Sequence, residues 1–267
     1  MYHLQNVTGV ITTKIKDVRP LLEIDEHKAY DLMFKMVHHS IGQLNAPEID
    51  RNPLLSALTP DVKTLIININ SLVRGRLAES SLHLQKTIEF IENAKRSKKP
   101  VYIILCDAFS LPEYLFTIFK FAESISVNNA LCSINPSGKT ATFKYLAQEY
   151  LKIKVSGTEQ IIMRHVENAL RLKLTASSRN RVFRDIDNLI HFHEFKTLEE
   201  LTTSLFKIMS KLHKEIANSL NQGYNVLIIA DHGYDLMDNT DKIKLTHRWN
   251  KDKICISPFV PLLLIGK

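Results

Sequence analysis

Five side chains of types that ligate metals or move protons follow the ends of apolar runs, Asp107, Asp187 with His191 one turn on, Asp231 and His232, and a sixth, His247, lies on the connection into the final strand. Three aspartates crowded together repel or take up protons unless cations neutralise them. A mixed shell of carboxylate oxygens and imidazole nitrogens suits Zn²⁺ or Mn²⁺. Six protein ligands exceed what one tetrahedral zinc takes, yet they divide into three each for two ions, with open positions left for a substrate. Two such ions, about 3.5–4 Å apart, clamp the attacking and departing oxygens of an in-line phosphoryl displacement. Two divalent metal ions, Zn²⁺ first and Mn²⁺ second, are therefore the expected cofactors.

A further feature is the stretch Asn135-Pro-Ser-Gly-Lys-Thr-Ala-Thr142. Gly138-Lys139-Thr140 is the ending of a phosphate-cradling P-loop, but that loop needs a glycine five positions earlier, where Ser133 stands. Pro136 also removes one of the N–H donors such a loop uses. A different chemistry fits better. A threonine hydroxyl beside a metal loses its proton near neutral pH and becomes a nucleophile, and a helix N-terminus at that point favours a phosphate. Thr140 and Thr142 are both candidates, with Thr140 favoured. Lys139 and Asn135 are candidates for contact with the substrate.

Each piece also has an ordinary structural reading. With 13 aspartates and 11 histidines in 267 residues, about half an Asp-x-x-x-His is expected by chance. Asp107 would serve as an N-cap for the stretch "SLPEYLF", Asp231-His232-Gly233 as a polar turn, and His38-His39 as an amphipathic face. The combination at one sheet edge is what stands out, because ligands of open α/β sheets bind at the carboxyl ends of the strands.

The elements that must position these residues alternate. Strands are expected at "VKTLIIN" (62–68), "PVYIILC" (100–106), "SISVNNALCSI" (124–134), "RVFRDI" (181–186), "NVLIIA" (225–230) and "FVPLLLIG" (259–266). Helices are expected over 80–97, 111–122, 158–173 and 197–223, from apolar residues at three- and four-residue spacing, with one more at "EHKAYDLMFKMVHHSIGQL". The expected fold class is therefore α/β, with a mostly parallel central sheet and helices on its faces. Residues 1–60 read as an N-terminal helical extension or subdomain and 61–267 as the core.

Composition narrows the classes. No apolar run reaches the roughly 18–20 residues that span a bilayer, and the polar start lacks a signal-peptide pattern, so the chain reads as cytoplasmic and without membrane partners. Cys106, Cys132 and Cys255 lack metal or redox spacing and suit reduced core thiols. The net charge of +7 helps attract a polyanion, although "NAKRSKK" reads first as a solvated face.

The motifs "IILCDAF", "INPSGKTATF", "DIDNLIH", "IIADHGYD" and "THRW", in that order over about residues 100–250, resemble the PglZ domains of the alkaline phosphatase superfamily. The resemblance implies a three-layer α/β/α sandwich and a phosphate-ester substrate, a nucleotide or nucleic acid among them. It further implies that Asp107, Asp231, His232 and the nucleophile bind one metal, and Asp187, His191 and His247 the other. Two departures stand out. One extra residue separates Pro136-Ser137 from Thr140, and Phe109-Ser110 follow Asp107 where a polar residue is usual. Asp185 and His193 are alternatives to Asp187 and His191 if the strand end shifts by two. The expected function is a two-metal phosphoesterase with a threonine nucleophile, hydrolysing a phosphodiester or phosphomonoester. The alternative is a catalytically degenerate PglZ module that binds a partner in a defence or signalling assembly.

Overall fold

The computed structural model describes residues 24–42, 81–126, 129–135, 141–174, 179–239, 241–247 and 254–266. Among them are eight strands and seven α-helices. The helices are α1 (Glu26–Gly42), α2 (Ser81–Arg96), α3 (Leu111–Lys120), α4 (Ala141–Tyr145), α5 (Glu159–Leu174), α6 (Asp185–Phe192) and α7 (Leu198–Asn221). The strands are β1 (Val101–Cys106), β2 (Ala130–Ile134), β3 (Arg179–Phe183), β4 (Asn225–Ala230), β5 (Asp235–Asn239), β6 (Lys242–Thr246), β7 (Ile254–Cys255) and β8 (Phe259–Ile265). The expected strand at 62–68 lies outside the described residues.

A five-stranded sheet has the order β2-β8-β4-β1-β3. β1 is parallel to β3 and to β4, while β8 is antiparallel to both β4 and β2. Four strands thus run one way and β8 runs against them, so the sheet is mixed. The reversal follows from the connection. β4 is followed by β5 and β6, then β7, which form a three-stranded antiparallel sheet of order β6-β5-β7, with no crossover helix among the described residues. Without a crossover, the chain re-enters the main sheet from the edge where it left and must run back.

β1, β4 and β8 are buried along their whole length, as expected for apolar runs covered on both faces. Alternation then sorts their side chains. Tyr102, Ile104, Cys106, Val226, Ile228 and Ala230 join one core with residues of α1, α3, α6 and α7. Val101, Ile103, Leu105, Leu227 and Ile229 join a second core with residues of α2, α4 and α5. α1 therefore packs into the same core as α3 and α7. Cys106 and Cys132 are free and buried, and burial pushes both thiols up. Among the described residues no helix is long and apolar enough to cross a membrane.

Two strand ends differ from expectation. Among the described residues of "SISVNNALCSI" the strand is Ala130–Ile134, and Ala122–Ser124 forms a 3₁₀ turn closed by Ser124 N–H to the Phe121 carbonyl at 2.8 Å. Serines and asparagines there offer the backbone local partners that compete with a ladder. In "RVFRDI" the strand stops at Phe183 and α6 begins at Asp185. Asp185 and Asp187 lie in the first turn of α6, where a helix N-terminus favours negative charge.

Candidate metal centre

The carboxyl ends of the co-directional strands are stitched together by backbone bonds. Asp107 N–H donates to the Phe183 carbonyl at 2.9 Å, and Asn135 N–H donates to the Pro258 carbonyl at 2.7 Å. The Asn135 side-chain amide donates to the Asp231 carbonyl at 2.7 Å, so this residue holds the turn that carries Asp231. Ala108, immediately after Asp107, has φ of 63°, a left-handed conformation that costs a non-glycine residue of order 1 kcal/mol. Its N–H reaches Asp231 Oδ1 at 3.4 Å. The strain therefore lies between two of the expected ligands.

The six expected ligands fall into two groups. Asp107, Asp231 and His232 each place a ligating atom within 4.8 Å of the others, and so do Asp187, His191 and His247. The first group is buried. His232 Nε2 lies 3.4 Å from Asp107 Oδ1 and 3.5 Å from Asp231 Oδ2. His232 Nδ1 faces the Gly233 carbonyl at 2.7 Å. A carbonyl only accepts, so Nδ1 carries a proton and Nε2 is the nitrogen turned toward the carboxylates. Nε2 donates to them in the charged ring and is free to ligate once a metal displaces its proton, the orientation a metal-bound imidazole takes.

The second group sits at the rim. Asp187 and His191 are four apart on α6, which places both on one helix face. Asp187 Oδ1 lies 3.4 Å from His191 Nε2 and 3.5 Å from His247 Nε2, and the two Nε2 atoms are 3.1 Å apart. Asp185 and His193 stand outside this group. The groups adjoin, with the His232 and His247 rings 4.9 Å apart.

The donors fit divalent cations of the zinc or manganese kind: nitrogen and carboxylate oxygen, three to a group, within 4.8 Å of one another in each. The electrostatics have the same sense. Burial, the largest single effect, opposes a charge on His232, but the Asp231 and Asp107 carboxylates outweigh it and push the ring up to about 10. His247 is pushed down to about 4 by burial and by the neighbouring His232 and His191.

With metals chelated, these shifts set the pH dependence of stability. Histidine ordinarily titrates near 6.5. The contribution of His232, with its raised value, is complete below about 6.5 and lost as pH rises through about 10; that of His247 is complete above about 6.5 and lost as pH falls through about 4. Urea midpoints measured in EDTA are expected to peak near neutrality, and His232→Asn to flatten the alkaline limb. A wild-type midpoint unchanged from pH 6.5 to 10 would contradict the arrangement.

Three neighbours went unnoticed in the sequence. Glu113 is fully buried, and its Oε1 accepts from Tyr30 at 2.6 Å and Tyr234 at 2.7 Å, while Oε2 accepts from Ser110 N–H at 3.2 Å. It binds α1 to the segments after Asp107 and after His232. The signal was present in Ser110-x-x-Glu113, a helix-start pattern, and Ser110, not Asp107, is the N-cap of α3. Burial pushes the Glu113 carboxyl up, against the pull of the tyrosine hydroxyls.

Gly233 is the second. A Cβ there would lie 2.5 Å from Ser110 Oγ, 2.6 Å from the Ile256 carbonyl and 3.0 Å from the Phe259 carbonyl. Backbone atoms cannot swing aside, so Gly233→Ala is expected to cost about 2–3 kcal/mol and to lower metal affinity by displacing Asp231 and His232. Thermal unfolding with and without Zn²⁺ checks both.

Arg184 is the third. Its Nε lies 3.9 Å from Asp107 Oδ2, and Nε and Nη2 are buried without a hydrogen-bond partner among the described residues. Lys139 and Thr140 lie outside the described residues. Thr142 belongs to α4, but its side chain also lies outside them. No protein-family model matches the chain, and neither does any curated protein.

Proposed function

We propose that this chain is a cytoplasmic two-metal phosphoesterase of the alkaline phosphatase kind, a three-layer α/β/α sandwich with the PglZ-like ligand order. The convergence of Asp107, Asp231 and His232 beside Asp187, His191 and His247, from segments up to 140 positions apart, carries the reading. A polar turn or a solvated helix face accounts for one such group, but not for two groups of mixed donors side by side. The complete ligand set also favours catalysis over a degenerate binding module.

On this reading the buried group and the rim group each hold one divalent cation. Bound there, Zn²⁺ or Mn²⁺ supplies Lewis-acid neutralisation of a phosphoryl group and lowers the pKa of a hydroxyl. The chain does the rest. His232 Nε2 is held in its lone-pair tautomer by the Gly233 carbonyl. Arg184 presents guanidinium donors beside Asp107, the arrangement that accepts anionic oxygens. Thr140 or Thr142 gives up its hydroxyl proton and attacks phosphorus as the ester's P–O bond breaks, the departing alkoxide taking up a proton and leaving as the alcohol. Water then breaks the Thr–O–P bond, releasing phosphate from a monoester or a phosphomonoester from a diester and restoring the threonine hydroxyl.

Elemental analysis of protein purified without chelator, paired with hydrolysis of bis-p-nitrophenyl phosphate and p-nitrophenyl phosphate, tests the proposal. About two metal ions per chain are expected, with activity that one of Thr140→Ala and Thr142→Ala abolishes. No metal after zinc is supplied and the excess removed would overturn it. Two ions with no hydrolysis of any ester would return the degenerate module.

A further inference from the structure

A second site of different character lies at the other end of the strands. Tyr102 and Arg179 are register partners at the starts of β1 and β3, whereas Asp107 follows the end of β1. Five residues of strand separate the two ends, roughly 16 Å. Between the start of β3, the last turn of α5 and the C-terminal half of α7 lies a cleft of about 570 Å³. That volume is within the range of sites that hold a ligand of nucleotide size.

The charge of the cleft is one-sided. Arg171, Arg179, Lys211 and Lys214 line it against a single acid, Glu215. Glu215 is already engaged, accepting from the Tyr102 hydroxyl on one carboxylate oxygen and from Arg181 on the other. Lys211 and Lys214 are exposed, and neither has an ion-pair partner among the described residues. Lys207 precedes Lys211 by one turn of α7, so like charges sit at i and i+4, which disfavours the isolated helix. Arg179 is held in place by its hydrogen bond to Gln222 at 3.0 Å and by the Tyr224 ring, 5.2 Å from its guanidinium carbon. An ordered arginine facing two unbalanced lysines across a cleft is suited to an extended anion, because several charges are met at once.

We propose that this cleft binds a run of phosphate groups, as carried by a single-stranded oligonucleotide or a nucleoside triphosphate. The site does not depend on the metal centre, so the binding is measured in EDTA on the full chain. Fluorescence anisotropy with labelled oligodeoxythymidine gives the affinity at a series of salt concentrations. Three to four phosphate contacts on a single strand predict a log–log salt slope of about −2 to −3. Lys211→Glu/Lys214→Glu is expected to weaken binding at least about tenfold and to flatten the slope by about 1.4. Lys28→Glu/Lys86→Glu makes the same change of charge outside the cleft and is expected to leave most of the binding intact.

Unlabelled oligonucleotide, ATP and inorganic tripolyphosphate serve as competitors. Displacement by all three assigns the cleft to phosphate chains as such; displacement by the oligonucleotide alone assigns it to nucleic acid. An affinity that falls no further in the cleft variant than in the control, or no binding by wild type at low salt, overturns the proposal.

Discussion

Asp231→Ala is expected to lower bound metal from about two ions per chain to one or none, and to reduce phosphoester hydrolysis by at least about a thousandfold. The magnitude follows from the several kcal/mol of charge stabilisation a catalytic cation supplies, since about 4 kcal/mol is a factor near 10³. Asp231 is fully buried and lies beside both Asp107 and His232 in one group, so its loss removes charge from the centre of that group. Its Oδ1 also accepts from His232 N–H at 2.8 Å, and alanine leaves that donor unpaired at a cost of about 1–3 kcal/mol. Asp231→Asn separates the two effects. The amide oxygen keeps an acceptor for the backbone while the charge is gone, so metal and activity should fall with most of the stability retained. Full metal occupancy in both variants would refute the assignment of this group.

The second large effect is expected from Glu113→Ala. Three donors converge on that carboxyl, from Tyr30, Tyr234 and Ser110, and all are buried. Alanine strands them and leaves a cavity, which together cost about 3–5 kcal/mol. For a chain of this length that corresponds to a fall in Tm of about 10 °C. The variant also tests coupling to the metal centre. Tyr234 lies two residues beyond His232 and Ser110 three beyond Asp107, so loosening both segments should weaken Zn²⁺ binding by about 10- to 100-fold, the usual effect of removing a group that orients ligands. Tyr30→Phe serves as the comparison, because it loses one donor on α1 and touches neither segment. It should cost about 1 kcal/mol and leave zinc affinity unchanged. Equal losses of affinity in the two variants would show that the effect is general destabilisation.

How much of the site could be read in advance depended on the range of the interaction. Asp107 and Asp231 follow uniformly apolar runs, and such runs read as buried strands whose next polar residue emerges at the sheet edge. Asp187 and His191 were legible as a one-turn pair, although their element proved to be a helix beginning at Asp185. The reversal of β8 was not legible. Its sequence, Phe259–Ile265, is buried throughout, and an apolar run buried on both faces looks the same in either direction. The small β6-β5-β7 sheet was also missed, because β5 and β6 are short and mix polar with apolar residues.

The sequence by itself determined which residue types are present, their order, and the local patterns of spacing and burial that make each ligand emerge from the end of an element. Those are short-range properties set by backbone periodicity. The division of Asp187, His191 and His247 from Asp107, Asp231 and His232 was expected from the motif order, but only the tertiary structure decided that each group lies together in space, the first at the rim and the second buried. It also decided that Arg184 faces Asp107, that Gly233 admits no side chain, and that Glu113 ties α1 to both ligand-bearing segments. Distances between side chains far apart in the chain depend on strand order, register and packing, and no window of sequence contains them.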